Sequence, residues 1–157
     1  MQGLTDDEHA HEQVPQAGRG PDDSVRPGVL VELELDECFI LLGEHRVGRI
    51  AVVDRDDMPF VVPVNYVLSG NTVLFRTHPG TKLDALRRRP VAFQVDSIDE
   101  VRRTGWSVLI QGVAHDASPS DHLGADPEPW IDAGPYWIQI VPRFISGRRF
   151  QLDECAT

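Results

Sequence analysis

The stretch LFRTHPGTKLDAL at 74–86 gathers residue types that bind a phosphate. A β-type run ends in Arg76 and Thr77, a Pro79-Gly80 breaker follows, and Thr81 and Lys82 open a short helical pattern. A helix start leaves amides without intrahelical partners and carries partial positive charge. A guanidinium, two hydroxyls and an ammonium around it would give a dianion several charge-assisted hydrogen bonds. Lys82 is the only lysine in the chain, since 14 of the 15 basic residues are arginines. The macrodipole disfavours a lysine in the first helical turn unless an anion is present. A merely solvated lysine is the alternative, and these residues alone leave both readings open. The order Gly80, Thr81, Lys82 is not the GxxxxGK[ST] of a P-loop, so an NTPase is unsupported.

The second informative stretch is VVPVNY at 61–66, which places Pro63 inside a strand and Asn65 and Tyr66 at its far end. Proline cannot donate to a ladder, so one side of this strand is expected to be unpaired or bulged there. A free strand edge can hydrogen-bond a ligand ring, and Asn65 supplies both a donor and an acceptor for the polar rim of a heterocycle. A turn-proximal Asn and a core Tyr would look the same in sequence. The six histidines, at 9, 11, 45, 78, 115 and 122, form neither HExxH nor an HxH with a third ligand in the folded region, so no metal site is expected. Ser107, Ser146 and Cys38 lack a nucleophile-elbow context, and no catalytic side chain is identified. Arg148 and Arg149 after Gly147 read as a solvated strand end, with an anion site as the alternative, and Trp106 and Trp137 as core or interface residues.

The elements that must position these residues follow from periodicity. A helix is expected to begin at Asp36 as its cap, with Leu35 stapled to Ile40, with Cys38, Leu41 and Leu42 on one face, and with Gly43 as its stop. Aliphatic runs at 47–53 and 60–68 flank the acidic turn 54–57 and read as a hairpin. The turn Ser69-Gly70-Asn71 leads into a third strand at 72–77. Thr81 with Asp84 approximates a capping box for a helix of about two turns, closed by Arg87, Arg88, Arg89 and Pro90. Alternating strands follow at 91–95 and 106–115, the latter with Gly112 as a bulge or close contact. Residues 116–135 read as a loop or broken helix, 136–141 as a strong strand, and 143–150 as either a departure or a seventh strand. About six strands and two short helices joined by short turns specify a mainly β protein, a small antiparallel barrel rather than a parallel sheet.

Composition bounds the rest. The 157 residues carry 25 acids against 15 bases, a net charge of −10 that would repel a phosphate polymer, so no nucleic-acid partner is expected. Two cysteines, Cys38 and Cys155, make no disulfide framework, and neither a leader nor an 18-residue apolar run is visible. A cytoplasmic chain without a membrane partner is the expectation. Residues 1–28 hold six acids, two arginines and only three large aliphatic residues, so they read as a disordered acidic tail ahead of one domain at 29–157.

Taken together, GRIAVVD at 48–54, VVPVNY at 61–66, FRTHPGTKLDAL at 75–86, GWSVLIQGVAH at 105–115 and PRFISGRRF at 142–150 resemble the pyridoxamine 5'-phosphate oxidase-like flavin-binding split-barrel family. The likeness is to its small actinobacterial, nitroimidazole-resistance-like branch. It spans roughly 33–150 and is most specific in FRTxPGTK. The resemblance implies a six-stranded split β-barrel homodimer with FMN across the subunit interface. It also implies that Arg76, Thr77, Thr81 and Lys82 hold the phosphate and ribityl chain, and that Pro63, Val64, Asn65 and Tyr66 line the flavin ring. Trp106 and Ser107 match the place from which a second subunit completes the site. The vitamin B6 oxidase of this family carries an Arg and a His two apart near its C-terminus. FISGRRF at 144–150 has no His, so synthesis of pyridoxal phosphate is not expected. Both His78 in the phosphate turn and the short, Pro-rich 116–135 segment depart from the family pattern. The resemblance therefore implies an oxidoreductase acting on a small molecule through its flavin; the alternative is a non-catalytic holder of a flavin, a deazaflavin or haem.

Overall fold

The computed structural model describes residues 28–87, 89–125 and 134–152, with backbone alone at 81, 82 and 152. In chain order the elements are β1 (Gly28–Leu33), α1 (Leu35–Glu44), β2 (Val47–Val53), β3 (Pro59–Ser69), β4 (Thr72–Thr77), α2 (Thr81–Leu86), β5 (Pro90–Asp99), β6 (Thr104–Asp116) and β7 (Tyr136–Leu152). Apart from Gly28, which opens β1, the acidic segment 1–28 lies outside the described residues.

Alternation builds the barrel. Ile50 and Val52 of β2, Val64 and Tyr66 of β3, and Val73 and Phe75 of β4 are buried. So are Phe93 and Val95 of β5, Val108 and Ile110 of β6, and Ile138 and Ile140 of β7. Each pair is two residues apart, so each strand turns one face inward, and each buried side chain contributes about 1.5–3 kcal/mol. The strands hydrogen-bond in the order β7-β4-β3-β2-β5-β6, and β6 pairs back onto β7. Every ladder is antiparallel. The result is the closed six-stranded antiparallel barrel that the strand pattern and the resemblance imply.

The turns use the expected chemistry. Asp54 Oδ1 accepts from the amides of Asp56 and Met58, both at 2.9 Å, and so shapes the acidic turn between β2 and β3. Gly70 supplies the positive φ of 57° between β3 and β4. Among the described residues no helix is long and apolar enough to cross a membrane, and no group of three or more His, Cys, Asp or Glu is placed to hold a metal ion.

Four local expectations are corrected. Asp36 does not cap α1: the N-cap is Glu34 without a side-chain hydrogen bond, and Asp36 lies in the first turn. Nor is the Leu35–Ile40 staple made, since both are more than half exposed while Cys38, Leu41 and Leu42 carry the contact with the barrel. The helix runs past Gly43 and ends where His45 turns extended, its ring Nδ1 donating to Leu41 O at 2.9 Å. At α2 the N-cap is Gly80, at φ 140°, rather than Thr81, and the Asp84 carboxylate stands 3.6 Å from Arg55 instead of closing a capping box.

The 143–150 stretch resolves as a continuation of β7, which pairs with β4 through 136–140 and with β1 through 147–152. Arg143 is the extra residue of a bulge, because Gln111 opposes Phe144 whereas Gly112 opposes Pro142. Strand β1, a seventh strand absent from the sequence reading, lies outside the ring. A further row crosses the outer face in register, from Val61 through Ala51, Ala92 and Gln111 to Phe144. Val61 is 58% and Phe144 71% exposed, and a shallow, mostly apolar groove of about 260 Å³ lies between them along Ala51, Val53, Pro90 and Ala92.

Gly112 allows no side chain against its neighbouring backbone, since an added Cβ would stand 2.3 Å from the Val141 carbonyl oxygen. Gly112→Ala is expected to cost at least about 2 kcal/mol, because backbone must move to admit the methyl. Gly43 has nothing within 4 Å of an added Cβ, so Gly43→Ala in α1 should stabilise by about 0.5–1 kcal/mol. Urea midpoints of the two variants check the contrast, and equal shifts would contradict it.

Candidate functional site

The site is built where two strands part. Strand β3 pairs with β2 through 59–65 but with β4 only through 66–69. Beyond that ladder, Arg76 and Thr77 pair with Trp137 and Tyr136 of β7. One edge of β3 from 59 to 65 therefore has no ladder partner among the described residues, and Pro63 sits in the middle of it. The last cross-strand pair is Tyr66 opposite Phe75, and the first residues beyond it are Asn65 and Arg76.

The inner side of this split is locked. Tyr66 is fully buried, its ring meets Phe93 edge to face at 4.9 Å, and its hydroxyl donates to the Leu42 carbonyl of α1. Burial pushes the Tyr66 hydroxyl well above the ordinary tyrosine range, which the nearby Arg46 charge only partly offsets. Val64 faces the same interior. Val64 and Tyr66 thus present main chain, not side chain, to anything on the outer side. Thr77 is likewise 1% exposed, and its hydroxyl bonds the neighbouring His78 carbonyl at 3.3 Å.

Outward from the split stand Pro63, Asn65 and Arg76, alternating with those buried neighbours. Asn65 Nδ2 is buried yet has no hydrogen-bond partner, the one such side-chain atom among the described residues. Buried polar groups in folded proteins are paired, and leaving one unpaired costs about 1–3 kcal/mol. This donor therefore calls for an acceptor from outside the described chain. Beside it, Arg76 donates from Nε to Gly134 O at 2.8 Å, and its guanidinium lies 5.7 Å from the Trp137 ring centroid. The backbone of Thr81 and Lys82 forms the first turn of α2, just after the Pro79-Gly80 turn that leaves β4. An unpaired amide donor, a guanidinium and a helix start thus follow one another along one margin of the barrel.

Trp106 and Ser107 are not at this margin. They lie on β6, separated from β3 by β2 and β5, which is about 14 Å at the usual strand spacing. Trp106 packs against the core and meets the His45 ring at 4.8 Å, while Ser107 alternates to the outer face. Trp106 also lines a cleft of about 300 Å³ with Thr104, Gly105 and Phe150, remote from Asn65 and Arg76. Within one chain the outer side of the split consequently has no second wall from β6. Trp137 and Gly134 are the neighbours that sequence reasoning missed. The signal for Trp137 was its place opposite Arg76, which is visible only once β4 and β7 are paired.

Residues 34–149 match the family model described as pyridoxamine 5'-phosphate oxidase. Uncharacterized protein Rv0080 of Mycobacterium tuberculosis is 31% identical over 135 residues, covering 80% of this chain and 88% of its own. Among solved structures, the FAD binding protein from Mycobacterium smegmatis superposes with a TM-score of 0.62 at 32% identity, over 78% of this chain and 100% of that one. A FAD-binding protein from Mesorhizobium loti does so with a TM-score of 0.66 at 25% identity, over 80% and 99%.

The Tyr66 lock gives a pH test. Tyr66→Phe strands the Leu42 carbonyl and should cost about 1–2 kcal/mol near neutral pH. With its folded value raised above the ordinary 10.0, Tyr66 contributes stability that is complete below that pH and is lost as pH rises beyond it. The stability gap between wild type and Tyr66→Phe, read by denaturant titration, should therefore shrink above pH 10, and a constant gap would refute the lock.

Proposed function

This chain belongs to the pyridoxamine 5'-phosphate oxidase family, and from that premise we propose that it holds a flavin at the β3–β4 split and acts as an oxidoreductase on a small molecule. The observation that carries the reading is the buried, unpartnered Asn65 Nδ2. The rim of an isoalloxazine ring presents carbonyl oxygens and ring nitrogens, which are the acceptors this donor lacks. The free edge of β3 at Pro63 and Val64 offers main chain to the same ring. Arg76, the first turn of α2 and the side chains of Thr81 and Lys82 would take the phosphate. When bound, the flavin supplies the hydride or electron transfer, while the chain binds, orients and excludes water.

Our reading of the cofactor is FMN. The proposed anchors reach the ring, ribityl and first phosphate that FMN and FAD share, and the two structural neighbours above are named for FAD. Flavin released by denaturing the purified protein identifies which is carried. An oxidised-flavin absorption spectrum supports the reading, whereas a deazaflavin or haem spectrum replaces it. Bleaching by NADH or NADPH then separates an oxidoreductase from a protein that only holds its cofactor.

The missing wall on the outer side of the split supports a homodimer, in which a partner's β6 brings Ser107, and the strand end at Trp106, to the site. The row from Val61 to Phe144 supplies a surface for it, because Ala51 and Ala92 allow close approach between the two large exposed ends. An interface of this kind buries more than about 2,000 Å² in total. Sedimentation at micromolar concentration should show two chains together, and Phe144→Glu should yield monomers; a monomeric wild type would refute the assembly.

For the phosphate, Lys82→Ala should weaken FMN by about one to two decades, or 1.5–3 kcal/mol. Riboflavin affinity should stay unchanged and the fold intact. Equal FMN affinity in the two proteins would move the phosphate elsewhere.

A further inference from the structure

Arg76 is held from two sides. Its Nε donates to Gly134 O at 2.8 Å, and its guanidinium stands 5.7 Å from the ring of Trp137, its cross-strand partner. Gly134 has a φ of +81°, and a Cβ there would come within 2.5 Å of the Thr77 and His78 backbone, so its main chain sits tight against the end of β4. Trp137 carries a second ring: His122 lies 4.4 Å away and within 2° of parallel. The turn bearing His122 is pinned to β7 in its own right. Asp121 Oδ2 accepts from the Ser118 hydroxyl at 2.6 Å, the Ser118 amide at 2.7 Å and Gln139 Nε2 at 3.4 Å. These bonds from Ser118 also hold the Asp121 carboxyl below the usual range.

Both ends of the long connection between β6 and β7 thus converge on one guanidinium. An arginine has five donors in a planar fork, and here one is committed to Gly134 while the fork lies within cation–π reach of the Trp137 ring. An ordered fork loses less freedom when it meets a phosphate than a mobile one does.

We infer that Trp137, braced by His122, is a positioning residue that sets Arg76 to receive the phosphate of the flavin. The identity of the anion rests on the flavin reading above. Trp137 acts through Arg76 and not through the ring of the cofactor, so its loss should be felt by FMN and not by riboflavin.

Flavin fluorescence titration of the full chain tests this with FMN and riboflavin as probes. Trp137→Leu should weaken FMN about three- to tenfold and leave riboflavin unchanged, and Trp137→Phe, which keeps an aromatic face, should recover most of the loss. In an Arg76→Ala background, Trp137→Leu should have no further effect, as expected of residues acting as one unit. Wild-type FMN affinity in Trp137→Leu, equal losses for both flavins, or an additive loss in the Arg76→Ala background would each overturn this inference alone. A wild-type chain that binds neither flavin would overturn the flavin reading and this inference together.

Discussion

The pair Tyr66 opposite Phe75 is where the β3–β4 ladder stops, and the arrangement around it depends on that stop being firm. On the inner side the ring of Tyr66 packs on Phe93 and its hydroxyl is tied to α1, so the strand cannot slide to close the gap. A register shift of one residue would turn Tyr66 out and Asn65 in, exposing a large ring and burying an amide. On the outer side the same stop leaves an unpaired strand edge, an amide donor and a guanidinium side by side. The barrel is closed as a core and open as a surface at one and the same point.

The same division separates the buried side chains of the stretch from the outward ones. The side chains of Val64, Tyr66 and Thr77 belong to the interior by alternation, and their packing holds Asn65 and Arg76 in place. Precision comes from the strand, whose neighbours are fixed by packing. The surroundings of Arg76 come from two sources: the connection after β6 supplies Gly134 and His122, and β7 supplies Trp137.

Much of this was legible in the sequence because it is written in short-range patterns. The runs around Ile50, Val64 and Val73 alternate, Pro63 announced a strand edge without a partner, and Gly112 announced a close approach. The strand, turn and helix start at 75–86 and the resemblance they carry were visible without any contacts. What escaped depends on distant partners. Strand β1 is an exposed outer strand with no buried alternation to betray it. The cap and staple expected at Asp36, Leu35 and Ile40 follow local rules, and they yield because Cys38, Leu41 and Leu42 decide which way α1 faces. That Asn65 lacks a partner, or that Trp137 carries Arg76, can be known only after strands far apart in sequence are paired.

Strand β1 also bears on how the protein behaves in a tube. Apart from the free edge of β3 at the split the ring of six strands is closed, but this outlying strand has one flank on β7 and, among the described residues, a second flank without a ladder, and Val29, Leu30 and Val31 on it are all at least 40% exposed. Such an edge is a template for edge-to-edge stacking of chains, and folding stability does nothing to prevent it. The opposing force is long-range repulsion between copies that each carry a net charge of −10. Salt shortens the reach of that repulsion to about 8 Å at physiological ionic strength. Colloidal stability in concentrated solution is thus governed by ionic strength and pH, through a strand that contributes little to the barrel itself.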